Sequence, residues 1–181
     1  MEFFGFLRRG RHERAGYALY GAAVAAARAA CLYRELGVPD TLDGRFDLLC
    51  LYAFLLVRRL AALPPPGPAL AQASFDAMFA DMDVNLREMG AGDLSVGRKV
   101  KAMWEAFHGR AAAYRKALEA GEGPALAEAL GRNVWRGAPP PGAADRLARL
   151  VRAQSAHLAG QTLADFVAGR ASFLPATEAL R

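Results

Sequence analysis

The sequence is poor in the residues that cross-link small or secreted domains. Its 181 residues include only two cysteines, Cys31 and Cys50, and both lie in apolar stretches of helical pattern. Two cysteines cannot build a four-cysteine metal cage, and the opening residues place apolar side chains before charged ones, the reverse of a secretory signal. We therefore predict two buried, reduced thiols, no disulfide and a reducing compartment.

The sequence also lacks local catalytic and metal-binding motifs. Its three histidines are scattered, and it contains no HExxH, GxSxG, phosphate-loop or dinucleotide-binding pattern. Asp81 and Asp83 stand about 200° apart on a helix, too far to share one ion readily. Asp83 is instead spaced for a helical ion pair with Arg87. We predict no metal, no cofactor and no enzyme activity, with a helical active site of dispersed residues as the alternative.

Long hydrophobic runs are absent as well. The longest dense one, residues 48–57, is too short to span a bilayer. Alanine and leucine dominate while β-branched residues are few, a composition that favours helix. With 54% hydrophobic residues, 23% charged residues and a net charge of +5, the chain is globular. The positive charge suits a partner with an acidic surface, an anionic membrane or a nucleic acid.

Apolar residues recurring at steps of three and four predict an all-α single domain of about six helices. The second is apolar on nearly all sides and is expected at the centre of a bundle-like, orthogonal packing, although a buried strand competes there. Gly37 is expected to end the first helix, Asp40 or Asp43 to cap the second, and a kink to follow Gly160. The predicted helices are 15–36, 44–63, 69–89, 95–120, 125–135 and 143–169. Residues 1–14 are expected to form a basic and aromatic head, 15–170 the helical domain, and 171–181 a loosely ordered tail.

The fourth predicted helix separates apolar from basic side chains. One stripe is expected to face the core: Val96, Val100, Met103, Trp104, Phe107, Ala111, Tyr114 and Leu118. The opposite side carries Arg98, Lys101, Glu105, His108, Arg115 and Lys116. That basic face is either solvated surface or a docking surface.

Three further features leave alternatives open. The aromatic and arginine-rich residues 1–13 are either a membrane-surface anchor or a frayed terminus. Trp135 before a proline-rich loop is either a lid on the core, which we favour, or an exposed contact. Four methionines, Met78, Met82, Met89 and Met103, either fill the core or line an adaptable groove.

Several stretches carry a recognisable pattern. LYRELGVPDTLDGRFDLL at 32–49 is followed by a hydrophobic helix that ends in arginines, and FDAMFADMDVNLREMGAGDLSVGRKVKAM covers 75–103. FHGRAAAY at 107–114 and LGRNVW at 130–135 extend the pattern. Over residues 17–136 the chain resembles the ubiquinol–cytochrome c chaperone family, in a bacterial form.

The resemblance implies an assembly chaperone, without catalysis of its own, for the respiratory cytochrome bc complex. It implies a cytochrome b-type membrane client, and a small co-chaperone is known for mitochondrial relatives, which also associate with the ribosome. The expected location is the cytoplasm, with peripheral contact at the inner face of the cytoplasmic membrane. Expected partner-binding residues in the first segment are Tyr33, Gly37, Pro39, Asp40, Arg45 and Asp47. Those in the second segment are Asp83, Arg87, Glu88, Gly92, Asp93, Ser95 and Lys99.

Two other function classes remain as alternatives. One is an RNA- or ribosome-binding module that uses the basic face of the fourth helix, Lys99 included. The other is a lipid or quinone carrier with a cavity beneath the second helix.

Overall fold

The computed structural model describes the backbone of residues 2–179 and the side chains of residues 10, 12–93 and 95–178. This part of the chain forms nine helices and contains no strand, so the all-α prediction is confirmed. The helices are α1 (Glu2–Ala27), α2 (Ala30–Arg34), α3 (Leu42–Ala61), α4 (Gly67–Glu88), α5 (Asp93–Glu119), α6 (Ala125–Val134), α7 (Ala143–Ala159), α8 (Leu163–Val167) and α9 (Ala176–Ala179). Six of them have ten or more residues and correspond to the six predicted helices.

The first predicted helix, 15–36, differs most from the structure. The backbone is already helical at Glu2, and it is interrupted at Arg28–Ala29, where Ala29 adopts an extended ψ of 121°. The Tyr33 hydroxyl donates to the Ala27 carbonyl across this break, at 3.0 Å, and so satisfies a helix-end acceptor. By length and composition alone, His12–Arg34 qualifies as a membrane span, but 44% of its most apolar window is buried in this fold, and core helices meet the same criterion.

Helix α3 lies at the centre, as its apolar sequence predicts. Twelve of its twenty residues are buried, and it packs against α1, α4, α5, α6 and α7. The predicted cap was wrong. Thr41 rather than Asp40 or Asp43 caps α3, accepting a hydrogen bond from the Gly44 amide at 3.2 Å. Threonine stands immediately before the first helical residue, where its hydroxyl reaches the third amide of the helix.

Helices α4 and α5 form a hairpin held by aromatic side chains. Phe75 contacts Phe79 and Phe107 at ring-centroid distances of 4.8 and 5.3 Å. The predicted inward stripe of α5 is right for Val96, Phe107, Ala111 and Tyr114, which are buried. Trp104 was placed wrongly.

The Trp104 ring is 46% exposed and lies on His108, with ring centroids 4.0 Å apart. It stands about 60° around α5 from Phe107, at the margin of the surface that α4 covers. The angular position of a residue on a helix does not by itself distinguish the margin of a packed surface from its buried centre.

The C-terminal residues are held by two glutamines. The buried Gln154 amide accepts from the Leu174 N–H at 2.9 Å and donates to the Leu174 carbonyl at 2.7 Å. Gln161 bonds the backbone of Ser172 in the same two ways. Phe173, between them, packs edge-on against Tyr52 of α3. The expected kink after Gly160 is a break, at which Thr162 caps α8.

Candidate functional site

A groove of about 1240 Å³ lies between the α2–α3 turn on one side and the α4–α5 hairpin on the other. Helices α1 and α3 close its base with buried or partly buried residues that include Tyr20, Val24, Phe46 and Leu49. Tyr20 donates a hydrogen bond to Asp81 Oδ2 at 2.6 Å and so joins α1 to α4 beneath the groove. Burial, this hydrogen bond and the charge of Asp81 raise the pKa of Tyr20 far above its ordinary value, so the hydroxyl stays protonated and donates.

Apolar side chains stand exposed at the groove. Leu42 at the start of α3 is 67% exposed, and Met89, directly after α4, is 56% exposed. Met82 and Met103 line the groove between them and are partly buried. Exposed apolar side chains grouped at a concavity mark an interaction surface more often than isolated ones do. Met78, in contrast, is fully buried and fills the core.

The α2–α3 turn is built by contacts that leave it little freedom. Gly37 has a φ of +65°, and its carbonyl accepts from Trp135 Nε1 at 3.1 Å. Trp135 is therefore a buried lid, as favoured from the sequence. A Cβ on Gly44 would lie 2.0 Å from the Pro39 carbonyl oxygen, so only glycine fits where α3 begins against the turn.

Arg45, in the first turn of α3, donates from Nε to Oδ1 of Asp40 in the α2–α3 turn at 2.6 Å, and this bond lowers the pKa of Asp40 below its ordinary value. Both side chains are about three-fifths exposed and available to a partner.

Asp47 joins the turn region to two other parts of the fold. Its side chain is 1% exposed and accepts from Arg110 Nη2 of α5 at 2.6 Å and from Arg136 Nη1 at 2.5 Å. Arg136 follows α6 in a left-handed conformation with a φ of +54°. The Arg110 guanidinium also lies 5.8 Å from the centroid of the Phe46 ring, which lines the groove. Asp47 thus positions the groove base from within the core, and its side chain is not accessible to a partner in this structure.

The α4–α5 turn carries the second predicted segment. Arg87 Nε donates to Asp83 Oδ2 at 2.6 Å, as the i,i+4 spacing predicts, and Arg87 Nη1 bonds Asp93 across the turn. Both contacts raise the pKa of Arg87, which stays charged. Ser95 Oγ bonds the Gly92 carbonyl at 2.8 Å. These contacts close the turn, and Lys99, one helical turn after Ser95, reaches the groove.

The structure brings together some of the predicted contact residues and separates others. Tyr33, Asp40, Arg45 and Lys99 line the groove. The others lie in the turns or the core beside it: Gly37, Pro39, Asp47, Asp83, Arg87, Glu88, Gly92, Asp93 and Ser95. The sequence interpretation missed the contribution of α1, although Tyr20, Val24 and Ala27 follow one another at steps of four and three and so form one apolar stripe.

Residues capable of holding a metal are not grouped in the described part of the chain. Among the side chains of residues 10, 12–93 and 95–178, no three histidine, cysteine or carboxylate groups lie close enough together to bind one ion. Both cysteines are free and buried. The groove presents apolar surface with charged side chains around it, which suits the binding of another molecule.

Comparison with known proteins places this geometry in context. Residues 34–173 match the family model described as ubiquinol-cytochrome C chaperone. The chain is also similar to the Cbp3 homolog from Brucella abortus, whose crystal structure it matches with a TM-score of 0.83. The two sequences are 34% identical over 98% of this chain and 99% of that one. A comparison with curated proteins gives no match.

Proposed function

Because the chain belongs to the ubiquinol-cytochrome C chaperone family, we propose that it binds newly made cytochrome b in the groove between the α2–α3 turn and the α4–α5 hairpin. The observation that carries this proposal is the grouping of exposed Leu42 and Met89 with partly buried Met82 and Met103 around one concavity. An unassembled membrane subunit presents apolar helices, and a groove of this kind covers them.

The mechanism we propose is reversible shielding. Methionine side chains are flexible and polarizable, so a methionine-lined groove adapts to different apolar surfaces. The rigid contacts of the two turns keep the groove open in the absence of a client. Release follows when haem insertion and subunit joining bury the same client surface elsewhere. No bond is made or broken by the chaperone in this scheme.

We propose that the chaperone works in the cytoplasm, at the inner face of the cytoplasmic membrane, where such a client is inserted. The side chains of residues 1–9, which include the aromatic head, lie outside the described residues. Flotation of the protein with anionic liposomes, before and after deletion of residues 1–13, tests this location. Unchanged flotation after the deletion would remove the head from the proposal.

We further propose that the charged side chains of the α4–α5 turn that do not line the groove contact a small co-chaperone. Its exposed charged residues Arg87, Glu88 and Asp93 are free of the groove and accessible at the same time as it. Charge reversal at Glu88 should weaken capture of such a partner and leave client binding intact. Loss of both together would assign the turn to the client instead.

Deleting the gene and measuring assembled cytochrome bc complex and free cytochrome b tests the proposal in cells. We expect loss of the complex, restored by the wild-type chain but not by a variant with Leu42→Asp and Met89→Asp. Both side chains are exposed, so these changes should spare the fold, which a thermal melt checks. The matched control is Ala112→Asp, at an exposed position of α5 outside the groove. Normal amounts of complex without the gene would reject the assembly role.

A further inference from the structure

The acidic and the basic side chains around the groove differ in how many already have a partner within the chain. Three carboxylates line it, and each is already engaged: Asp40 with Arg45, Asp43 with Arg136 at 3.7 Å, and Asp81 with the Tyr20 hydroxyl. Asp40 and Asp43 are therefore each paired with an arginine, whereas the hydroxyl from which Asp81 accepts carries no charge to offset the carboxylate. Against these three acids the groove is lined by four bases: Arg28, Arg34, Arg45 and Lys99.

Most of the basic side chains of the groove have no such ion-pair partner. Arg28 and Arg34 lie on the side of α1 and α2, and Lys99 lies on α5. All three are exposed, and none has a carboxylate of the described side chains within ion-pair distance. Basic side chains without an ion-pair partner thus lie at both sides of a groove whose lining is mainly apolar.

Resting on the proposed function, we infer that the groove selects an apolar helical segment flanked by acidic residues. The apolar face of such a segment would cover Leu42, Met82 and Met89, while its acidic flanks would meet the three unpaired bases. The groove volume of about 1240 Å³ exceeds the roughly 300–1,000 Å³ of common small-molecule pockets, which favours a polypeptide over a quinone or a single lipid.

This charge pattern gives the groove selectivity among membrane segments. The cytoplasmic flanks of membrane helices are enriched in lysine and arginine, so most nascent segments would bring like charge to Arg28, Arg34 and Lys99. Like-charge contact disfavours wrong partners, while opposite charge favours the right one. An acidic flank is therefore the feature that separates this segment from the general population of apolar helices.

Binding of two labelled peptides to the full chain tests the inference. Both are amphipathic helices of about 18 residues with the same leucine and methionine face, one with three glutamates at each end and the other with three lysines. Because exposed charge pairs each contribute roughly two- to fivefold, we expect the acidic peptide to bind about ten- to a hundredfold more tightly at low salt. High salt should remove most of this preference.

The variants locate the effect. Replacing Arg28, Arg34 and Lys99 by glutamine should abolish the preference. The matched control replaces Arg98, Lys101 and Arg115, on the exposed basic face of α5, by glutamine and should leave the preference intact.

Equal affinity for both peptides, or a preference that survives in the groove variant, would overturn the inference. If both peptides bind equally and the Leu42→Asp and Met89→Asp changes prevent binding, the groove remains a client site and only the charge selection fails. Binding of phosphatidylglycerol vesicles through the same three bases, with no binding of the acidic peptide, would reassign them to the membrane surface. Failure of the proposed function itself would appear in the gene-deletion experiment, which does not depend on these peptides.

Discussion

Replacing Asp47 by asparagine should destabilise the fold far more than its single altered atom suggests. The carboxylate is 1% exposed and accepts from two arginines, one of which, Arg110, is itself only 16% exposed. Removing one partner of a buried ion pair costs about 3–5 kcal/mol because the other charge is left uncompensated. Since Arg136 is half exposed and regains water, we expect the lower end, about 3 kcal/mol. For a chain of this size that lowers Tm by roughly 6–12 °C.

The measurement is thermal or urea unfolding followed by circular dichroism, with Asp40→Asn as the control. Asp40 also pairs with an arginine, but at an exposed position, so its replacement should leave Tm nearly unchanged. A cycle of Asp47→Ala, Arg110→Ala and the double variant should show a coupling of at least about 1.5 kcal/mol. If Asp47→Asn and Asp40→Asn lower Tm equally, the network does not hold the helices together as described.

Three other predictions concern the backbone, the C-terminal segment and the thiols. Gly44→Ala should lower the free energy of unfolding by about 1–3 kcal/mol, because the new Cβ meets a backbone oxygen. Gly109→Ala, in open space on α5, should raise it by about 0.5–1 kcal/mol. Equal effects of the two changes in urea unfolding would contradict this. Gln154→Ala leaves two backbone groups of Leu174 unsatisfied and should cost about 2–4 kcal/mol, with faster amide exchange at Leu174; unchanged exchange would show that the clamp is not needed. Burial raises the pKa of both cysteine thiols, so less thiolate is present at pH 8. Ellman's reagent should therefore label the native protein at least about tenfold more slowly than the unfolded protein. Equal labelling rates would contradict the burial of the thiols.

The helices were predictable because their apolar spacing is strong and glycine and proline mark most of their ends. The centrality of α3 followed from its sequence alone, since a helix that is apolar on all sides must be covered on all sides. The break at Arg28–Ala29 was not predictable, because alanine and arginine both favour helix. A side-chain bond from Tyr33 to the Ala27 carbonyl spans the break, and helix propensity gives no indication of such a contact.

The candidate site was predictable only in part. Patterned residues pointed to the two turns, but the groove that joins them also needs α1, and a pairing between distant helices leaves no local signal. Asp47 illustrates the limit. It was expected to contact a partner protein, whereas it is buried and its own partners, Arg110 and Arg136, come from elements more than sixty residues away. Trp104 shows the converse, because a residue with inward spacing lies exposed at the margin of the surface that α4 covers.

Site-specific photocrosslinking to newly made cytochrome b tests the central claim most directly. A photoreactive residue would replace Met89 or Leu42 in the groove, or Ala112 on the exposed outer side of α5 as the matched control. We predict crosslinks to cytochrome b from both groove positions and none from the control, with the groove signal fading as the bc complex assembles. Crosslinks from position 112 alone, or equal crosslinks from all three, would show that the groove is not where the client binds.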